Sequence, residues 1–201
     1  MGALRMIMHQ GEIQSRIRLD TLPNQDLFGL GAADSLSGEL MVVSGKIYQS
    51  QVENGNLQVL QNPQAEATLL VYAKVPAWDT LEIKGLMQLQ DLLQQQSHGR
   101  SLEQPFPFLI QGRLEEVKYH VLNFDVDKND LMNHKEGALT GTMTQKWSTL
   151  LGFYATDAKG IYTHHDSNVH IHVLSEDQTI MGHVDHLVIG KGPIKLLIPK
   201  S

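Results

Sequence analysis

Six of the chain's ten histidines lie in one stretch, HHDSNVHIHVLSEDQTIMGHVDH, which runs from His164 to His186. Imidazole nitrogens bind transition metals and exchange protons near neutral pH, so the cluster could do either kind of chemistry. The chain contains no cysteine, which excludes thiolate metal sites, disulfides and a cysteine nucleophile. A metal site in this stretch would therefore depend on histidine nitrogens.

The segment from Val169 to Val173 alternates histidine with branched apolar residues. Alternate side chains of a β-strand share a face, so His170 and His172 point the same way, with their Cα atoms roughly 6.5–7 Å apart. The three apolar residues point the other way and are expected to join a core. This strand can therefore offer two imidazoles to one ion.

A second strand is predicted to bring in a third histidine. The polar segment Ser175-Glu176-Asp177-Gln178 indicates a turn, and a new strand begins at Thr179. A two-residue loop at Glu176-Asp177, or a four-residue loop ending before Thr179, places His170 directly opposite His183. Paired residues lie about 4.5–5.5 Å apart, so His183 would be close to the other two histidines. A three-residue loop would instead turn His183 to the other face of the sheet.

Three histidine nitrogens with an open fourth position describe a catalytic zinc site, although cobalt, nickel, iron or manganese would also fit. The predicted ligands are His170, His172 and His183. His186 is expected on the opposite strand face, while His164 or His165 could orient a ligand. An isolated H-x-H is usually a chance cluster of core or surface histidines, but a third histidine in register favours the metal site.

The overall composition restricts the partners. The formal net charge is −6 and the sequence has no basic patch, so nucleic acid is not expected as a partner. No apolar run approaches the roughly 18 residues of a membrane span, and the first residues do not form a signal peptide. We expect a cytoplasmic protein that acts on a small molecule, and a homodimer is compatible with the sequence.

Most of the chain outside the histidine stretch is predicted to form strands. These are expected at 39–43, 46–52, 57–60 and 67–75, with a hairpin turn at Asn54-Gly55. Residues 105–121 and 138–154 are expected to form longer strands or hairpins. One helix is indicated by Leu86, Leu89, Leu92 and Leu93, with Gly99 as its stop. The predicted fold class is a β-rich α+β protein with mixed or antiparallel sheets and few helices.

The chain is expected to be a single unit over residues 1–201. A division into two subdomains would place an N-terminal sheet and the helix at about 1–104. The metal-binding sheet would then occupy about 105–201.

Several segments resemble the α-acetolactate decarboxylase family. The resemblance extends from about Phe28 to Val188. It rests on H-x-H with a third histidine eleven positions later, and on Phe28-Gly29-Leu30-Gly31, Leu36-Ser37-Gly38-Glu39-Leu40, Gly141-Thr142, Leu151-Gly152-Phe153-Tyr154 and Gly182-His183-Val184. Ser37 stands where the family has asparagine.

The resemblance implies a fold, a metal and a set of site residues. It implies zinc on His170, His172 and His183, and it places Glu39 at the active site. The family's substrate-binding arginine corresponds to His120, in the segment Val117-Lys118-Tyr119-His120, so Arg113 or Lys118 could take over its charge. The family's C-terminal glutamate has no counterpart before Ser201.

The resemblance also implies a reaction, the decarboxylation of 2-acetolactate to acetoin. Zinc or another divalent metal would act as a Lewis acid for the electrons left by the departing CO2. Glu39 is the candidate for proton transfer or for orienting the substrate hydroxyl. His120 could pair with the substrate carboxylate only in its protonated form.

Three other functions remain open. His170, His172 and Glu176 fit the H-x-H-x3-E pattern of a cupin-type metal enzyme, which would require Glu176 at the metal. The same three histidines could serve a zinc hydrolase that uses a metal-bound water. The altered arginine position is compatible with a non-catalytic metal-binding or ligand-binding module of the same fold.

Overall fold

The computed structural model describes residues 12–97, 105–125, 127, 135–155 and 169–200. These residues form two six-stranded antiparallel sheets and one α-helix. The first sheet has the strand order β1-β6-β2-β3-β4-β5. Its strands are β1 Ile17–Arg18, β2 Leu27–Ala33, β3 Gly38–Val43, β4 Lys46–Glu53, β5 Asn56–Gln61 and β6 Glu66–Lys74, with 3-10 turns at Leu19–Thr21 and Asp34–Leu36.

The second sheet carries the histidines. Its order is β11-β10-β9-β8-β12-β7, and an additional β11–β8 pairing closes β8 to β11 into a ring. Its strands are β7 Trp78–Ile83, β8 Phe106–Val121, β9 Leu139–Tyr154, β10 Val169–Ser175, β11 Met181–Val188 and β12 Ile194–Pro199; helix α1 is Leu86–Ser97. The ring holds β10 and β11 beside the end of β8.

The β-rich α+β class and most of the individual elements are confirmed. Asn54 and Gly55 both have positive φ and join β4 to β5, as the hairpin signal predicts. Leu89 and Leu93 are the buried leucines of α1, whereas its predicted stop at Gly99 lies outside the described residues. Strands β1, β2, β7 and β12 were not predicted. Because β7 pairs with β12, the second sheet also includes a strand from before the helix.

A core between the sheets determines which residues can reach the histidines. Phe28, Met41 and Tyr48 of the first sheet pack there against Leu151, Phe153 and Met181 of the second. On β3, Leu40 and Val42 belong to a separate cluster on the outer face. Glu39 shares the face of Met41, so it points toward the second sheet. No described helix is long and apolar enough to cross a membrane.

Candidate metal and active site

Three histidines converge where β10 and β11 lie side by side. His170, His172 and His183 each offer a ring nitrogen, and these atoms all lie within 4.8 Å of one another. The ring centroids are 5.0 Å apart for His170 and His172, 4.9 Å for His170 and His183, and 5.5 Å for His172 and His183. This group could hold one metal ion.

The register that brings the three together differs from the predicted one. His172, not His170, is paired with His183. The loop comprises residues 176–179 and is closed by the Ser175 N–H, which donates to the carbonyl of Ile180 at 2.9 Å. The predicted pairing of His170 with His183 was therefore wrong by two residues. A shift of two preserves the strand face, so the convergence of the three rings is retained.

The orientation of His172 suits a metal ligand. Its Nδ1 lies 3.0 Å from the carbonyl oxygen of Leu40, which can only accept, so Nδ1 carries the proton. Nε2 is then a lone-pair donor, and it makes no hydrogen bond within the described part of the chain. Burial, followed by the neighbouring His170, holds the pKa of His172 well below its usual range, so the ring is neutral. A buried neutral imidazole with a lone pair turned toward two others fits a bound cation.

Glu39 reaches this group from the first sheet. It is buried, its Oε1 accepts the Leu122 N–H at 3.1 Å, and its Oε2 lies 3.5 Å from Nε2 of His172. Burial raises the pKa of Glu39 from 4.5 to about 8, while the Leu122 hydrogen bond and the Lys135 charge oppose that rise. Without metal at neutral pH, a protonated carboxyl therefore faces a neutral imidazole, and the contact is not an ion pair.

His120 lies beside the three histidines but outside their group. It is paired with His183 on β8 and β11, and the ring centroids are 4.7 Å apart. Its Nδ1 lies 2.9 and 2.8 Å from the two carboxylate oxygens of Asp185 and donates to them. The carboxylate therefore fixes the ring orientation and leaves Nε2 of His120 for another partner.

A bulge in β11 explains how Asp185 comes to face His120. The pairing with β8 shifts between Val184 and His186, which leaves Asp185 as the extra residue. Beyond the bulge, His186 pairs with Lys118 and so lies on the same sheet face as His183, not on the opposite face as predicted. His186 is exposed and outside the three-histidine group. His164 and His165 lie outside the described residues.

Lys135 is a cation beside this site that the sequence did not single out. Its Nζ lies 3.9 Å from Oδ1 of Asp185. Burial lowers the pKa of Lys135, and the charges of Asp185 and Glu39 oppose that change. Arg113 is exposed and seven residues from His120 along β8, roughly 23 Å at the usual rise. Lys118 points into solvent, with 57% of its side chain exposed.

Gly182 allows β11 to approach β8 closely. A Cβ atom at this position would lie 2.7 Å from the backbone oxygen of His120 and 2.8 Å from Cδ2 of Tyr119. Gly182→Ala is therefore expected to push β11 from β8, destabilising the fold by roughly 1–3 kcal/mol and weakening metal binding. Urea unfolding and a zinc titration would measure both effects. Gly192→Ala, where a Cβ meets nothing within 4 Å, is the control; equal behaviour of the two variants would contradict the prediction.

The burial of Glu39 predicts a pH-dependent stability. Between its ordinary pKa of 4.5 and about 8, the native protein keeps the proton that the unfolded chain releases. The native state then binds more protons, so the free energy of unfolding should fall as pH rises through this window. Urea unfolding of chelator-treated protein should show this slope, and Glu39→Gln should flatten it. Equal slopes in the two proteins would refute the prediction.

Comparisons with known proteins match this chain to one family. The family model described as "Alpha-acetolactate decarboxylase" matches residues 2–198. A protein of that name from Streptococcus thermophilus is 26% identical over 189 residues, covering 88% of this chain and 74% of its own. One from Lactococcus lactis subsp. cremoris (strain MG1363) is 24% identical, covering 98% of this chain and 80% of its own.

Solved structures share the fold. The alpha-acetolactate decarboxylase of Bacillus subtilis strain 168 matches with a TM-score of 0.73 at 18% identity, covering 94% of this chain and 80% of that one. A Staphylococcus aureus protein of unknown function, described as similar to alpha-acetolactate decarboxylase, matches with a TM-score of 0.74 at 15% identity, covering 98% of this chain and 82% of that one. At these identities the likeness establishes the fold.

Proposed function

Because the chain belongs to the alpha-acetolactate decarboxylase family, we propose that it converts 2-acetolactate to acetoin and carbon dioxide with a zinc ion on His170, His172 and His183. The predicted resemblance is confirmed, as is the assignment to the carboxy-lyases that it carried. The choice of zinc follows from three imidazole ligands around an open position, although other divalent transition metals also accept them.

The observation that carries the proposal is the meeting of Glu39 with the three histidines. A buried carboxyl from one sheet lies 3.5 Å from the ring nitrogen of His172 in the other. A decarboxylase of a β-keto acid needs an electron acceptor and a proton donor side by side. Three convergent imidazoles would hold the metal that accepts the electrons, and the buried carboxyl beside them would donate the proton.

Each residue has a defined task. His170, His172 and His183 would hold the metal, which supplies Lewis-acid stabilisation of negative charge on the substrate oxygens. Glu39 would deliver the proton to carbon after CO2 departs, or orient the substrate hydroxyl. His120, fixed by Asp185, would hydrogen-bond a substrate oxygen through Nε2. The apolar core between the sheets would limit water access to Glu39.

Lys135 is assigned to the substrate carboxylate. Its ammonium group lies beside Asp185 and interacts with Glu39, which places positive charge at the edge of the site. Lys135→Ala is expected to raise KM for acetolactate by roughly 10-fold or more, since a hydrogen bond to a charged group contributes about 1.5–3 kcal/mol. Steady-state kinetics would measure this. Lys135→Arg should retain most of the affinity and Lys118→Ala should change little; an unchanged KM in Lys135→Ala would exclude this role.

The proposed reaction is tested by an acetoin assay. Purified protein with quantified metal is incubated with racemic acetolactate, and acetoin is measured above the spontaneous background. Acetoin formation that is lost with a chelator and restored by zinc is the expected result. Bound metal without acetoin would contradict the proposal and would direct attention to simple esters, the substrates of a hydrolase, or to a non-catalytic module.

The cupin-type alternative requires Glu176 at the metal, and the structure does not place it there. Glu176 lies in the exposed loop between β10 and β11, where its N–H donates to the carbonyl of Trp147, and it is outside the described histidine group. The cytoplasmic location, the homodimer and the lack of nucleic-acid partners stay predictions, as does the division near residue 104.

A further inference from the structure

Ser50 is a buried hydroxyl that the proposed reaction does not use. It lies in the middle of β4, its exposed fraction is 0%, and its Oγ has no hydrogen-bond partner within the described part of the chain. A buried polar atom without a partner costs about 1–3 kcal/mol. Alanine would avoid that cost, so the hydroxyl needs an explanation beyond packing.

The strand pairing puts Ser50 next to Glu39. The two residues are directly paired between β4 and β3, so their side chains share a face with Cβ atoms about 4.5–5.5 Å apart. That face points toward the histidine sheet, because Glu39 contacts His172 from it. Tyr48, on the same face of β4, packs in the core between the sheets. Ser50 therefore faces the interior beside the Glu39 carboxyl.

A metal ion on the three histidines would remove His172 as a possible hydrogen-bond partner of the Glu39 carboxyl. Oε1 of Glu39 accepts the Leu122 N–H, while Oε2 lies 3.5 Å from Nε2 of His172. When Nε2 binds a metal, its lone pair is engaged and it cannot accept a proton from Oε2. A hydroxyl both donates and accepts, so Ser50 can bond the carboxyl in either protonation state.

We propose that Ser50 is a positioning residue of this site, whose hydroxyl hydrogen-bonds the Glu39 carboxyl when a metal ion occupies the three histidines. The assignment rests on the proposed function for its catalytic consequence, but the hydrogen bond itself does not require a particular substrate. Ser50 acts through Glu39 and does not touch the reacting atoms.

The kinetic test compares Ser50→Ala, Ser50→Thr and Ser148→Ala. Ser148 is the control because its buried hydroxyl is on β9, near Sδ of Met143 at 3.5 Å. In Ser50→Ala, kcat should fall roughly 10-fold, the equivalent of one hydrogen bond, while KM and bound metal stay unchanged. The urea midpoint of its metal-free form should be equal or higher. Ser50→Thr should retain most of kcat, and Ser148→Ala should retain all of it.

Three outcomes would overturn the proposal. One is an unchanged kcat in Ser50→Ala. Another is a lower urea midpoint with unchanged kcat per bound metal, which would indicate a purely structural hydroxyl. The third is a raised KM with intact kcat, which would place Ser50 on the substrate.

A substrate-free test separates this proposal from the reaction. Urea midpoints are compared for the unsubstituted protein, Ser50→Ala, Glu39→Leu and the double variant, each with zinc and with chelator. Non-additive effects with zinc that become additive with chelator would support the hydrogen bond, even if no acetoin forms. Additive effects in both conditions would overturn it. Absence of acetoin from the unsubstituted protein would count against the proposed reaction alone.

Discussion

Replacing His172 with alanine is expected to remove the bound metal and to lower kcat/KM for acetoin formation by roughly a thousandfold. Lewis-acid stabilisation by a metal contributes several kcal/mol, and about 1.36 kcal/mol corresponds to a tenfold change in rate. His172 is the histidine whose proton position is fixed by Leu40, so its Nε2 is the best-prepared ligand atom. Metal analysis after dialysis and steady-state kinetics would measure the two effects.

The control for this variant is His186→Ala. His186 lies on β11 near His183 but is exposed and outside the histidine group, so metal content and activity should be unchanged. Far-UV circular dichroism should show that both variants retain their strands. Stoichiometric metal in His172→Ala would mean that the ion binds elsewhere.

Replacing Glu39 with glutamine is expected to lower kcat by roughly 10²–10⁴-fold while metal binding is retained. Glutamine has nearly the same volume and can still accept the Leu122 N–H, so the local structure should persist. It cannot transfer a proton, and the loss should therefore appear in kcat more than in KM. Stopped assays of acetoin formation at equal metal content would provide the measurement.

Glu176→Gln is the matched control for Glu39→Gln. Glu176 is exposed in the loop after β10, so its replacement should leave both metal content and kcat unchanged. Loss of metal from this variant would favour the cupin-type site. A Glu39→Gln protein with kcat close to that of the unsubstituted protein would remove Glu39 from the mechanism.

The three-histidine group was predictable because it depends on alternation along strands. His170 and His172 share a face on any regular β10, and this requires no knowledge of the rest of the fold. The pairing of β10 with β11 was misjudged by two residues, yet His183 stayed on the correct face. Because alternate residues of a strand share a face, a register error of two residues leaves each side chain on its predicted face. An error of one residue would move it to the other face.

The residues that surround the three histidines were harder to predict from the sequence. The bulge in β11 changes the face of every residue after Val184, and no turn or composition signal marked it. Asp185 consequently went unrecognised, although it lies beside the site. Lys135 was missed for another reason: it lies in the turn before β9, where no strand pattern indicates its direction. Ser50 could have been noticed as a polar residue within a strand, but its burial depends on the second sheet.

The sequence by itself determined the β-rich class, the helix of spaced leucines, the hairpin at Asn54-Gly55 and the shared face of the histidines. Each follows from interactions between residues close in the chain. Only the tertiary structure decided that Glu39 meets His172, that Asp185 holds His120 and that Ser50 is buried beside Glu39. The first contact joins two sheets, the second passes through a bulge, and the burial of Ser50 depends on the sheet that packs over it. Their formation depends on how whole faces pack together, which no local pattern encodes.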